Sequence, residues 1–399
     1  MEKIKELANQ YFEKTVALYH ELHRHPELSG KEEHTAAFIC QTLDDLGLEY
    51  QNNVVGFGIV ALLRGTKGDE KKNAKGIVVA LRADMDALPI QEQTELPFAS
   101  VVPNVMHACG HDVHIASLLG ALMILKDLKE QFSGTVKAIF QPSEEEYAGG
   151  AKFMIDANVL ENPKVDVIIG QHVTPGMSAG TVGFRSGPFM ASTDEIHLTI
   201  HGKGGHAAMP AETINPILAG TAFIEEINRL VKEEQPNDVP TVLSFGRFVA
   251  NGSTNIIPDT AEIAGTLRTF NEVWREEVCA LIKMAAKNIS GKYDAVFDLD
   301  IRRGYPVVNN DPEVTERVRK DAIALLGRGY VQNLPLRYTA EDFAYYLLKC
   351  PGVFYRLGVS NQAKGITQTT HSATFRIDED ALRTSIMLMS YIAFNELNR

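Results

Sequence analysis

The stretch "NVMHACGHDVH", residues 104–114, places one cysteine and three histidines close together in a chain of 399 residues that has four cysteines and twelve histidines in all. Further on, "SEEE" sets Glu144, Glu145 and Glu146 side by side, and single histidines follow in "GQHV" (His172) and "TTHSA" (His371). Sulfur, imidazole and carboxylate together suit zinc, manganese or a similar divalent ion. A structural zinc site closes on four Cys or His ligands at short local spacings. The candidates here are spread over more than half the chain and include carboxylates, which favours an open catalytic site. Taken alone, Cys109 reads as a small buried hydrophobe and "SEEE" as a solvated acidic turn. Their settings favour chemistry: Cys109 stands beside His111 at a strand-to-helix turn, and the glutamates directly follow an apolar run. Of two adjacent glutamates, one can bind metal while its neighbour takes a proton from water.

The elements that must position these groups can be read from the apolar pattern. "GIVVALRADMDALPI", "GTVKAIFQPSEEE" and "VDVIIGQHVTP" are Val- and Ile-rich runs that each end in charged or imidazole residues. Continuous apolar runs suit strands buried on both faces of a mainly parallel sheet, and such sheets bind ligands beyond the carboxyl ends of their strands. Asp84, Glu144, Glu145 and His172 fall there. In "HDVHIASLLGALMILKDLKE", Ile115, Leu118, Leu119, Leu122 and Leu125 recur at helical spacing, predicting a helix that covers a sheet face. Its N-terminus is expected to help keep the Cys109 thiolate ionised. Asp84 is expected to orient a ligand, and Asp86 has either a turn role or a functional one. His20, His23, His25 and His34 are expected to be packing or surface residues, and His107 and His114 are left outside the ligand set.

The fold class expected is α/β: a mainly parallel-sheet metal-binding domain with an inserted ferredoxin-like α+β satellite. From about residue 188 the pattern reads β-α-β-β-α-β, and buried α/β patterning resumes with "GVFYRLGV" and a helix from about Asp380. The boundaries expected are 1–187 and 304–399 for the discontinuous metal-binding domain and 188–303 for the satellite, which also serves dimerisation through an exposed sheet edge. The net charge of -12 argues against a nucleic-acid partner. "KGDEKKNAKG" is of mixed sign and reads as a solvated loop. No run approaches the roughly 18 apolar residues of a membrane span. The N-terminal helix pattern lacks the features of a signal peptide, so a cytoplasmic protein is expected. Cys40, Cys109, Cys279 and Cys350 have no paired spacing that would suggest disulfides.

"LRADMDALPI", "MHACGHDVH", "FQPSEEE", "GQHV" and "GKGGHAAMP" occur in the order found in one family. Over essentially its whole length the chain resembles the metal-dependent amidohydrolases that include hippurate hydrolases, N-acyl amino acid deacylases and plant auxin-conjugate hydrolases. The resemblance implies two divalent metal ions per subunit, zinc or manganese, with Cys109, His111, Glu145, His172 and His371 as ligands. It makes Glu144 the general base and later the proton donor to the departing amine. For His206 in "GKGGHAAMP" it implies stabilisation of the oxyanion, in its own active site or that of a partner subunit; the residue-level alternative is a histidine fixing a Gly-rich turn. Asn255 and Arg268 are similar to family positions near the substrate's carboxylate or backbone, although Arg268 on a strand can instead pair with a structural acid. The chain departs from the family pattern at Glu146, where glycine is usual, in "MPAETINPI", which lacks a histidine and an aspartate, and around His371.

The function expected is hydrolysis of the amide of a small-molecule N-acyl or N-aroyl amino acid by a homodimer. A dipeptidase or aminopeptidase on the same scaffold and a catalytically silent, metal-stabilised binding protein are the alternatives. The peptidase requires an acid to recognise a free α-amine, and the sequence singles none out.

Overall fold

The apolar runs form strands in a computed structural model that describes residues 1–67 and 76–399. Residues 68–75, most of the mixed-charge stretch read as a solvated loop, lie outside the described residues. Eight strands, β1 (Glu49–Val54), β2 (Gly58–Arg64), β3 (Val78–Asp84), β4 (Thr135–Gln141), β5 (Val167–Ser178), β6 (Val182–Phe184), β7 (Val331–Asn333) and β8 (Gly352–Ser360), make one sheet in the order β1-β2-β4-β3-β5-β8-β6-β7. Its centre, β4-β3-β5-β8, is parallel. Antiparallel pairs flank it through β2 on one side and β6 on the other. Every residue of β3 and of β8 is buried, as strands covered on both faces require.

The structure extends the sequence reading at two elements. The helix His111–Asp127 is buried all round from His111 to Leu125 and has no solvent face. Its outer side is covered by the helices Glu2–Arg24 and Asp380–Leu397, which both pack against it. The strand expected to end near His172 continues to Ser178, because β8 pairs with it through Thr174 and again at Ser178.

The chain divides into two compact units, one of Met1–Gly187, Asn309–Pro335 and Asp342–Arg399, the other of Pro188–Val308 and Leu336–Glu341. The second unit contains a four-stranded antiparallel sheet in the order Thr241–Val249, Thr260–Thr269, Asp194–His201, Val296–Arg303. The helices Pro216–Glu234 and Glu272–Tyr293 pack on it, giving the ferredoxin-like arrangement. Each helix starts at an asparagine cap: Asn215 accepts from the Ile217 N–H and Asn271 from the Trp274 N–H. No helix among the described residues is long and apolar enough to cross a membrane.

In the first unit, His23 near the end of Glu2–Arg24 is buried between two carboxylates, with Nδ1 2.6 Å from Asp112 Oδ2 and Nε2 3.1 Å from Glu92 Oε1. Burial pushes its pKa down, but the hydrogen bonds to Asp112 and Glu92 outweigh burial and raise it to about 9. A group raised in the folded state stabilises below its unfolded pKa of about 6.5 and loses that contribution as pH rises through its folded value. The stability gap between wild type and His23→Gln is therefore expected to be on the order of 3 kcal/mol near about pH 6 and to narrow by about pH 10. Denaturant melts at both pH values check this; a gap that is constant or widens contradicts a charged His23.

Candidate metal centre

The site grows from the carboxyl ends of β3 and β4, from β5, and from two loops. Cys109 precedes the helix His111–Asp127, separated from it only by Gly110, the helix cap at φ 85°. A Cβ at Gly110 would also lie 2.6 Å from a Val173 methyl, so only glycine fits the turn that sets Cys109 and His111 side by side. Glu144 and Glu145 follow β4. His172 lies on β5 two residues beyond Gly170, which faces Arg82 in the register, so His172 stands level with Asp84. His371 is brought in from the last loop by its backbone N–H, which donates to the Ala108 carbonyl at 2.8 Å.

These residues converge. Cys109 Sγ is 3.4 Å from His172 Nε2, His371 Nε2 is 3.4 Å from Glu145 Oε1, and His111 Nε2 is 3.9 Å from both Glu144 Oε2 and Glu145 Oε1. Donor atoms of Cys109, His111 and His172 lie within 4.8 Å of one another, as do those of Cys109, Glu145 and His371 and those of His111, Glu144 and Glu145. Glu146 is exposed beside them.

The electrostatics of the cluster suit cations. Both ring nitrogens of His111 and the Oε1 of Glu145 are buried without a hydrogen bond among the described residues. Burial pushes the His111 pKa down, but the Asp84, Asp86 and Glu145 carboxylates raise it to about 10. Burial, aided by Arg356 and His114, pushes His172 well below the usual imidazole range. Its Nδ1–H donates to the Val173 carbonyl at 2.7 Å, which leaves the Nε2 lone pair facing Cys109; fixing a ligand's tautomer in this way is common in metal sites. Burial, then the Glu145 and Glu144 carboxylates, push the Cys109 thiol well above the usual range, so the helix N-terminus acts against an opposing local field and a bound cation would favour the thiolate. Orphaned donors among surplus buried carboxylates are what divalent ions would satisfy, and the donor set fits them.

A second set of contacts holds the donors in place. Asp84 accepts from Arg82 Nη1 and from His114 Nδ1–H, while His114 Nε2 accepts the Val173 N–H at 3.0 Å. Both nitrogens of His114 are thus used by the protein. Burial raises the Asp84 pKa, but Arg82, His111 and His114 hold the carboxyl well below its usual range. Arg82 also donates to Gln141 and to Asp342, both buried. Asp86, left ambiguous by sequence, accepts the Glu144 and Glu145 N–H groups at 3.0 and 2.9 Å and lies 3.3 Å from His111 Nδ1. Its spacing two residues after Asp84, at the same strand end, is the only sequence signal for that role.

In the second unit, His206 and Asn255 are brought together. Gly205–His206 pairs with Ile256–Ile257, and the Ala207 N–H donates to the Asn255 carbonyl at 3.0 Å. His206 Nδ1 accepts the Ala208 N–H at 3.1 Å, so the proton of the neutral ring sits on Nε2, which is a donor. Arg268, half-buried on Thr260–Thr269, donates to the Tyr338 carbonyl at 3.3 Å. The sequence does contain a string of the G-x-S-x-G form, "GMSAG" at 176–180, but Ser178 ends β5 and a turn leads to β6. That is not the strand-to-helix elbow of a serine nucleophile.

A parallel-centred sheet with sulfur, imidazole and carboxylate donors at its strand ends defines a metal-dependent hydrolase with a site for two ions. The chain matches the model of peptidase family M20/M25/M40 over residues 80–395 and belongs to that family. It is 36% identical to thermostable carboxypeptidase 1 of Saccharolobus solfataricus over 100% of this chain and 99% of that one. It is 40% identical to an N-acyl-L-amino acid amidohydrolase of Geobacillus stearothermophilus over 78% of this chain and 82% of that one. A crystal structure from Bacillus subtilis, described as a dinuclear metal binding peptidase from the M20 family, superposes with a TM-score of 0.82 at 35% identity, covering 98% of this chain and 99% of that one. The chain is a metal-dependent amidohydrolase acting on linear amides of small molecules.

Proposed function

We propose that the chain hydrolyses N-acyl and N-aroyl amino acids to a carboxylate and an amino acid. The observation that carries this reading is the buried Glu144 carboxylate beside the donor cluster, on a backbone fixed to Asp86. Cys109, His111, Glu145, His172 and His371 are the proposed ligands, and divalent ions held there supply Lewis acidity for the amide carbonyl and lower the pKa of water. Glu144 takes a proton from water as its oxygen bonds to the carbonyl carbon, then returns a proton to the amide nitrogen as the C–N bond breaks. His206 is assigned to the oxyanion through its Nε2–H, and Arg268 and Asn255 to the substrate's carboxylate and backbone.

Zinc and manganese both suit the donors, and the thiol favours zinc. The satellite, 188–303, is assigned to homodimerisation through an edge strand of its sheet, with His206 serving the active site of the second copy. A strict monomer in a solution mass measurement removes that trans role. The net charge of -12 argues against a nucleic-acid partner.

The carboxypeptidase relative favours a second reading in which the acyl group is a peptide. Both readings cleave an amide whose nitrogen belongs to an amino acid with a free carboxylate. Rates on N-acetyl amino acids, N-benzoyl amino acids and unblocked dipeptides, with added zinc or manganese, separate them. The fastest turnover is expected on the N-acylated compounds; faster turnover of dipeptides replaces this proposal with the peptidase reading.

A further inference from the structure

Three consecutive backbone N–H groups of the turn that carries the glutamates are received by two carboxylates. Those of Glu144 and Glu145 donate to Asp86. The Ser143 N–H donates to Glu32 Oε1 at 2.8 Å, and the Ser143 hydroxyl lies 3.4 Å from the same oxygen. Ser143 has φ 57°, in the left-handed region that a non-glycine residue holds only where its surroundings fix it.

Glu32 is remote in sequence and fully buried at 0% exposure. Burial raises its pKa, and the neighbouring Asp86 carboxylate raises it further. A carboxylate at such a place is unfavourable unless the groups that donate to it offset the loss of water. Glu32 belongs to the stretch "ELSGKEE", between the helices Glu2–Arg24 and Glu33–Asp45 and running into the start of the second. That stretch is braced on the site twice more. Ser29 Oγ donates to Asp86 Oδ2 at 2.6 Å, and the Ala87 N–H donates to the Glu27 carbonyl at 2.8 Å. The stretch therefore ties together the end of β3, through Asp86 and Ala87, and the turn after β4, through Ser143.

We propose that Glu32 is a positioning residue: by accepting the Ser143 N–H it fixes the backbone from which Glu144 and Glu145 project, so that both carboxylates face one donor cluster. The proposal rests on the roles given above to Glu144 and Glu145. Asp86 does not receive the Ser143 N–H, and the Ser143 carbonyl is held only from the far side of the turn, by the Gly150 N–H at 2.8 Å; Glu32 fixes the N–H side. Its oxygen acts as an acceptor, and its charge is not needed.

The test compares Glu32→Ala, Glu32→Gln and Glu144→Gln as full-length, metal-loaded protein on the N-acyl amino acid that wild type turns over fastest. Glu32→Ala is expected to fold, with kcat lowered about 10- to 100-fold, the range for losing a group that orients a site residue, and KM within about threefold of wild type. Glu32→Gln, whose amide oxygen still accepts the Ser143 N–H, is expected to keep kcat within about threefold. Amide hydrogen exchange at Ser143, Glu144 and Glu145 in the metal-free chain is expected to quicken in Glu32→Ala and not in Glu32→Gln. If Glu32→Ala does not fold, Glu32→Met fills the space without accepting the bond and carries the same expectation. Wild-type kcat and exchange in the Ala or Met variant overturns the proposal, as does Glu32→Gln falling as far as Glu32→Ala. If those results appear while Glu144→Gln is inactive, only the role of Glu32 is lost. If Glu144→Gln is active, the reading of the site falls and the role of Glu32 falls with it.

Discussion

Replacing Glu144 by glutamine is expected to lower kcat by about 10³-fold, within the range for a lost general base, with KM and metal content close to wild type. The substitution keeps the side chain's size. It also leaves intact the backbone hydrogen bond from residue 144 to Asp86 that sets where the side chain starts. What disappears is the capacity to take a proton from water and return it to the amide nitrogen, and an amide cannot do either near neutral pH. Glu145→Gln provides the contrast, since weakening a ligand is expected to reduce metal content together with rate. Initial rates and elemental analysis on the same preparations check both. Loss of metal from Glu144→Gln makes Glu144 a ligand; retention of rate removes it from the chemistry.

The second large effect is expected for His111→Ala, with metal content and activity both lost. His111 is the most central of the donors: its Nε2 lies 3.8 Å from Asp84 and 3.9 Å from Glu144 and Glu145, and its Nδ1 3.3 Å from Asp86. Without metal, the imidazole is held charged by the carboxylates around it, which raise its pKa to about 10 against the effect of burial. Removing it leaves Asp86 without its imidazole partner and takes a positive group from between Asp84, Glu144 and Glu145. Breaking a buried ion pair by deleting one partner costs about 3–5 kcal/mol, so metal-free His111→Ala is expected to melt well below metal-free wild type. Denaturant melts in chelator check the stability, and elemental analysis after metal loading checks the binding. A variant that binds metal normally contradicts the role given to His111.

Much of the frame was legible because apolar runs ending in charged residues mark buried strands, and the groups beyond those ends share one edge of a parallel sheet. Cys109, His111, Glu144, Glu145 and His172 could be gathered on that ground alone. His371 could be named as a candidate imidazole but not placed by any strand end, since its delivery depends on a loop and one backbone hydrogen bond to Ala108. The supporting groups were not legible. His114 was left out as a ligand, but nothing in its spacing shows that both its nitrogens serve Asp84 and Val173. Glu32 and Ser29 act across a gap of more than fifty residues, through hydrogen bonds that leave no periodic trace. The helix N-terminus beside Cys109 was legible as a local signal, but the Glu144 and Glu145 carboxylates that tertiary structure places beside the sulfur were not.

Where the ions sit decides the roles of Glu144 and Glu145, and crystallography of the manganese-loaded protein with anomalous scattering measures that directly. Two peaks are expected about 3.5–4 Å apart, the usual spacing of paired catalytic ions. They should be bonded among Cys109, His111, Glu145, His172 and His371, with Glu144 unbonded and facing the space between them. A single ion, ions held elsewhere, or Glu144 bonded in the place of Glu145 would contradict this expectation.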